Sequence, residues 1–452
     1  MALELSDALS EYAASARLQD LPSADAARMV DAFVNWVGCA LSGSPNPTVD
    51  AAERAYLSIN PAGQHVPLGR RQALALVDAI SIDCLSSAAL GFDDIHLETT
   101  LHPTGPVAAA LLGLARTQVV TGAQYLEALH IGMEVQCRIA LAFASAGTGS
   151  HRGWYATGIA GGMGAAVAVG RLLGFSATQM RNAIGLAAAR ASGPRGTHSS
   201  MAAAYVPALA AESGFLAAAL TRAGMTCTAR ALDGLYGLLE LIAPQPAVGR
   251  ALQQLGSVSE AARDSFKPYP AGFIVQPVID ACLSLFHEHG LRADHIDRLD
   301  LFVPPVVVQL ASSQHPADEY VATTSIHFWA AAVMLSGRAG CAQAGMDMIK
   351  DPRNAALRER VFLSAAAELA NDQCRASART KDGRQIDVAV EHARGSLARP
   401  MSSADIDAKF MANLPPACSP QRGQRLLQCC RDVLALTDVT RILEIDQAKD
   451  IP

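Results

Sequence analysis

The chain has 452 residues, half of them hydrophobic, with 17% charged and 5% aromatic side chains and a formal net charge of -6. That balance offers no basic surface to nucleic acid or another polyanion. Ten cysteines without a Cys-x-x-Cys spacing exclude a zinc ribbon and a standard iron–sulfur run.

The first residues, Met1 to Asp7, are acidic and lack a signal-peptide pattern. The longest uncharged runs reach 18 residues, 153–170 among them, but small and polar side chains dilute them too far for a membrane span. The expectation is a cytoplasmic protein with reduced thiols and neither a membrane nor a nucleic-acid partner.

In chain order, residues 4–19 and 23–42 show amphipathic helical periodicity, with Ser23 as the expected cap of the second. A turn over 42–47 precedes a helix from about Thr48. Residues 72–90 form a strongly apolar helix that delivers the chain to Gly91-Phe92-Asp93-Asp94-Ile95-His96-Leu97-Glu98. His102-Pro103-Thr104-Gly105 then breaks the helix, because Pro103 restricts the residue before it. Acids and histidines therefore sit on a loop between two buried helices, a common place for chemistry and equally a plain polar connection with a capping Asp. A helix over 107–115 leaves it. Residues 122–142 continue helical, with Glu127, Glu134 and Arg138 expected on the polar side.

Arg152 and Tyr155 lie in a second loop that opens a Gly/Ala helix ending near 172. Its Gly158-x-x-Gly161-Gly162-x-Gly164 run lacks the preceding strand of a dinucleotide fingerprint, so close helix packing explains the glycines better. A helix over 178–191 leads to a third loop with Arg195 and His198; solvation is the simpler role for Arg195. Small residues over 199–223 form another helix. The first lysine in the chain is Lys267, in Phe266-Lys267-Pro268-Tyr269-Pro270. From 295 the pattern changes: 296–303 and 384–391 alternate as strands, with helices between them starting near Thr324 and Ala355.

Phe92-Asp93-Asp94 followed by His102-Pro103-Thr104-Gly105 resembles the signature of the MmgE/PrpD family, which includes 2-methylcitrate dehydratase, cis-aconitate decarboxylase and iminodisuccinate epimerase. The resemblance spans nearly the whole chain and is strongest at 80–110, 150–190 and 380–412. It implies a mainly α fold: a large all-helical domain from 1–265 and 395–452, and a smaller inserted α+β lid over 266–394. It also implies a homodimer.

For activity, the resemblance implies a cofactor-independent lyase, a hydro-lyase by first preference, acting on a small di- or tricarboxylate. The alternatives are an isomerase or epimerase using the same proton abstraction, and a silent member that binds an acid or a partner. Abstracting a proton next to a carboxylate needs a base and fixed positive charge. Asp93, His102, Tyr155 and Lys267 are the expected catalytic residues, and Asp94, Arg152 and His198 the expected substrate contacts. No metal is expected, although His96 and His102 with Asp93 and Asp94 include ligand types. The remaining histidines, His392 among them, fit structural or surface roles, with His327 held open.

Departures from the family pattern cluster at the site. Gly91 replaces an Asp, Ile95 a Thr, Tyr155 a His and Phe328 a Tyr, and the lysine of the third loop is missing.

Overall fold

The computed structural model describes residues 5–17, 19, 22–60, 63–144 and 153–448. The chain begins with helices α1 (Leu5–Ser15), α2 (Ser23–Gly43), α3 (Pro47–Ile59) and α4 (Leu76–Ala88). Ser23 does not cap α2: Pro22 holds the N-cap position, without a side-chain bond. Asn46 caps α3 by accepting from the Thr48 amide.

After the 91–103 loop come α5 (Thr104–Ala115), α6 (Gly122–Phe143), α7 (Ala156–Leu172), α8 (Ala177–Ala188) and α9 (Ala202–Arg222). Helices α6 and α8 start with capping boxes, Thr121 with Gln124 and Ser176 with Gln179. The glycines serve close packing, because a Cβ on Gly132 would meet Gly164 O at 2.7 Å and one on Gly164 would meet Gly132 O at 2.6 Å. Backbone thus touches backbone where α6 crosses α7.

Glu134 and Arg138 depart from their expected polar face. Both are fully buried: Arg138 Nε donates to Glu134 Oε1 at 2.5 Å, and its Nη1 donates to Ala251 O at 2.7 Å. The 247–261 segment wraps α6 and supplies the carbonyls that make a buried guanidinium tolerable.

Among the described residues the fold is mainly α-helical with two small sheets. One is a two-stranded ribbon of β1 (Ile95–His96) and β2 (Asp264–Ser265). The other comprises β3 (Ile296–Val303), β4 (Val361–Ala365), β5 (Cys374–Thr380) and β6 (Gln385–Val390), in the order β4-β3-β5-β6. Only the β3–β4 pair is parallel. Strands β3 and β6 fall where alternation predicts them, whereas β4 and β5 were not anticipated. The helix Gln276–His287 packs on β5 and β6, and Ile326–Ser336 packs on β4.

Two apolar cores result. The first draws on side chains from Leu5 to Phe266 and again from Met401 to Leu443, and the second on Tyr269 to Ala378. Helix α9 is the one described helix long and apolar enough to cross a membrane, and 61% of its apolar window is buried inside the molecule.

Candidate functional site

The β1–β2 ribbon builds the site. Its antiparallel register pairs Ile95 with Ser265 and His96 with Asp264. Carrying that register two residues onward sets Asp93 opposite Lys267. Lys267 Nζ donates to Asp93 Oδ1 at 3.2 Å and to Gly91 O at 2.9 Å. Lys267 is 2% exposed, so it is no solvated boundary residue. Gly91, at φ +67°, turns its carbonyl toward the ammonium in a left-handed conformation that suits Gly, or the Asp it replaces, better than most side chains.

His102 reaches the same carboxylate from the other end of the loop. Its Nδ1 lies 3.1 Å from Asp93 Oδ2 and 2.8 Å from Asp94 O. Both partners accept, so Nδ1 carries the proton and the Nε2 lone pair is left for the cavity. The His102 amide donates to Thr157 Oγ1 at 2.9 Å, fixing this residue against the start of α7. Burial by itself pushes the Asp93 carboxyl up, but His102 and Lys267 outweigh it and hold the group well below the usual range.

Asp94 stands behind this wall. It is buried, and its Oδ2 accepts from the Thr104 amide at 2.9 Å, serving the first turn of α5. Below it, burial first and then the Asp94 charge push the Asp264 carboxyl well up. Lys409 supports the loop from the core side: its Nζ donates to Phe92 O and Asn35 Oδ1, each at 2.7 Å.

A cavity of about 550 Å³ opens onto Asp93, His102, Lys267 and Tyr155. Tyr155 packs edge-on to His102, with ring centroids 5.9 Å apart, and to His198 at 4.6 Å. Its phenol is pushed far up by burial and then by the Asp93 charge, so it stays protonated. The third loop is tied to α7 through Tyr155 N to Gly193 O at 2.8 Å and Arg195 N to Gly153 O at 2.6 Å. This places Arg195 and His198 on the cavity wall. Arg152 lies outside the described residues.

The opposite wall comes from the second core and its flanks, including Phe273, Ile274, Tyr320 and Asp372. His392, expected to be peripheral, lines the cavity with its Nδ1 2.8 Å from Asp372 Oδ2. Its place at the end of β6 was the available signal. His327 and Phe328 lie elsewhere: Phe328 is fully buried in the second core. Gln276 is buried too, donating to Ala271 O at 2.8 Å.

Among the described residues, the cluster able to hold a metal ion is His96, Glu98 and Glu260 rather than a set around Asp93. Each member already has partners: His96 bonds Thr99 and Glu260, and Glu98 pairs with Arg250.

Residues 7–250 match the MmgE/PrpD N-terminal domain, and residues 269–433 match the MmgE/PrpD C-terminal domain. The chain belongs to the MmgE/PrpD family. Among characterised members it is similar to the human cis-aconitate decarboxylase, with 27% identity over 77% of this chain and 75% of that protein. The mouse cis-aconitate decarboxylase is 25% identical over 80% of this chain and 77% of its own length. The Aspergillus terreus cis-aconitate decarboxylase is 23% identical over 97% and 94%. In this MmgE/PrpD chain the C-terminal family match runs to 433, past 394, where the sequence alone closed the α+β segment. Side chains from Met401 onward nevertheless pack in the first core.

Proposed function

We propose that this MmgE/PrpD member is a lyase of small carboxylic acids that works by proton transfer at a carbon next to a carboxylate. The observation that carries the reading is a single buried carboxylate, Asp93, held between His102 Nδ1 at 3.1 Å and Lys267 Nζ at 3.2 Å. Asp93 fixes the imidazole tautomer, so His102 Nε2 is the base. Lys267 stabilises the negative charge that develops on the substrate carboxylate. Tyr155, kept protonated, is the proton donor.

In a dehydration, His102 takes the proton from carbon, the electron pair forms the double bond, and the hydroxyl leaves with the Tyr155 proton as water. In a decarboxylation, the carbon–carboxylate bond breaks, CO2 departs, and a proton from Tyr155 or protonated His102 quenches the carbon left behind. The relatives' names favour the second outcome, and the dehydratase reading of the sequence favours the first; both use one constellation. No cofactor enters either sequence. The segment 266–394 acts as the lid over this site.

Incubation of candidate acids in deuterated water separates the readings. A hydro-lyase yields an unsaturated, ultraviolet-absorbing product and water, whereas a decarboxylase releases CO2 and leaves deuterium at the quenched carbon. An intact substrate that gains deuterium identifies an epimerase and removes the lyase proposal. Binding of acids without any turnover identifies a silent binder.

A further inference from the structure

We propose that His392, oriented by Asp372, is a second acid–base residue of this cavity, a proton donor to the bound acid in addition to Tyr155. The proposal deepens the lyase reading above, but it serves any reaction that moves a proton at the same carbon.

The sheet builds the pair. In β5–β6 Cys374 faces Val390, and carrying that antiparallel register two residues outward sets Asp372 opposite His392. The Ala393 amide donates to Asp372 O at 2.8 Å, so the ladder holds together at this end. His392 Nδ1 donates to Asp372 Oδ2 at 2.8 Å. A carboxylate only accepts, so Nδ1 carries the proton of the neutral ring and the lone pair is on Nε2. His102 is arranged in the same way, with its Nδ1 3.1 Å from Asp93 Oδ2 at the same cavity. Each aspartate sets a tautomer and stabilises the imidazolium that forms when the ring takes a second proton.

A His–Asp pair on a bare surface would carry no such role. This one lines the cavity that holds His102, and its segment is anchored beside Lys267. Ala393 and Ser396 are buried. A Cβ on Gly395 would lie 2.2 Å from Phe266 O, so backbone meets backbone one residue before Lys267. His392 is three residues from Gly395, a span of at most about 11 Å. The His392 side chain is 47% exposed and the Asp372 side chain 20%, which leaves the pair open to substrate and to solvent protons.

As an imidazolium, His392 gives its Nε2 proton to the substrate and returns to the neutral Nδ1–H ring, which water then recharges. In a decarboxylation that proton joins the electron pair left on carbon as CO2 departs. In a dehydration it joins the leaving hydroxyl while His102 takes the carbon proton. An imidazolium beside a carboxylate is a readier acid than the Tyr155 phenol, whose proton burial holds tightly.

The test is kinetic, on the full chain with malate, citrate and propene-1,2,3-tricarboxylate in deuterated water. His392→Ala is expected to lower kcat by at least about tenfold, since a positioned general acid contributes about 10²–10⁴ and Tyr155 stays in place. Added imidazole is expected to restore part of the lost kcat, a rescue that a merely structural histidine does not give. Asp372→Asn keeps the ring and removes the charge, so kcat falls and nitrogen NMR of the histidine rings shows both neutral tautomers in place of one. A kcat in His392→Ala within tenfold of the native value, or no rescue by imidazole, overturns the proposal and leaves the lyase reading standing. Deuterium gained by an otherwise intact acid, and lost in His392→Ala, supports the proposal and removes the lyase reading. If none of the three acids is turned over, the lyase reading falls and NMR with succinate decides. Movement of the His392 and His102 ring signals together then supports the proposal, and an unmoved His392 signal overturns it.

Discussion

Lys267 concentrates the consequences of single residues. Its neighbours Asp93 and Gly91 O hold it inside, so a substitution affects both the chemistry and the fold. Lys267→Met is expected to lower kcat/KM by roughly thirty- to a hundred-fold or more, the loss of a charge-assisted bond of about 2–3 kcal/mol. It also leaves Asp93 with the His102 imidazole as its remaining side-chain partner among the described residues, and removal of one member of a buried pair costs about 3–5 kcal/mol of stability. Adding Asp93→Asn to Lys267→Met is expected to restore much of the stability and none of the activity. Lys267→Arg does not restore full activity, because a planar fork does not replace a compact ammonium. Chemical denaturation alongside steady-state kinetics checks this, and full activity in the Met variant would remove Lys267 from the machinery. Of the cavity-lining residues, Asp93 and His102 were legible because Pro103 and Gly105 forced a loop around them. Arg195 was legible only as a solvated loop residue, since nothing local shows which wall a loop will join.

At the scale of elements, α6 holds a further buried titratable group. His130 sits in the first core with its Nε2 3.0 Å from Ser259 Oγ, which in turn faces Glu134. Burial pushes its imidazole down to about 4, against about 6.5 in an unfolded chain. Between those values the unfolded chain binds the extra proton, so stability falls as pH drops through about 6.5 and levels off below about 4. The full effect is about 3 kcal/mol at about 1.4 kcal/mol per pH unit. Melting temperatures from pH 7 to pH 4 are expected to decline in the native chain and to decline less in His130→Gln; an equal slope in both would show that His130 is not the group responsible. The helical periodicity of α6 was legible, but the burial of its polar side was not, because the covering segment at 247–261 lies more than a hundred residues away in sequence.

For the whole molecule, we propose a homodimer formed through the helical body. Helix α9 exposes Tyr205 and Leu220, its N-cap exposes Met201, and the segment after it exposes Leu235, Tyr236 and Leu241, an unusual group of large apolar side chains to leave in water. Light scattering at micromolar concentration is expected to give twice the chain mass of 47.2 kDa. Paired Tyr236→Glu and Leu241→Glu substitutions are expected to return the single-chain mass. A native mass of one chain would end the proposal.

Local pattern carried the sequence a long way: helix starts and stops, the alternation of β3 and β6, the Pro-bounded acidic loop and Lys267 as an outlying lysine are all short-range signals written in neighbouring residues. Strand β5 escaped because Cys374–Thr380 alternates small and charged side chains rather than large apolar ones. Long-range register decided the rest. The pairing of Ile95 with Ser265 aligns Asp93 with Lys267, and the docking of the loop at 193–198 onto α7 brings in Arg195. Those contacts join segments up to 176 residues apart. Their free energy comes from burying shared surface and pairing distant backbone groups, which no window of local sequence contains.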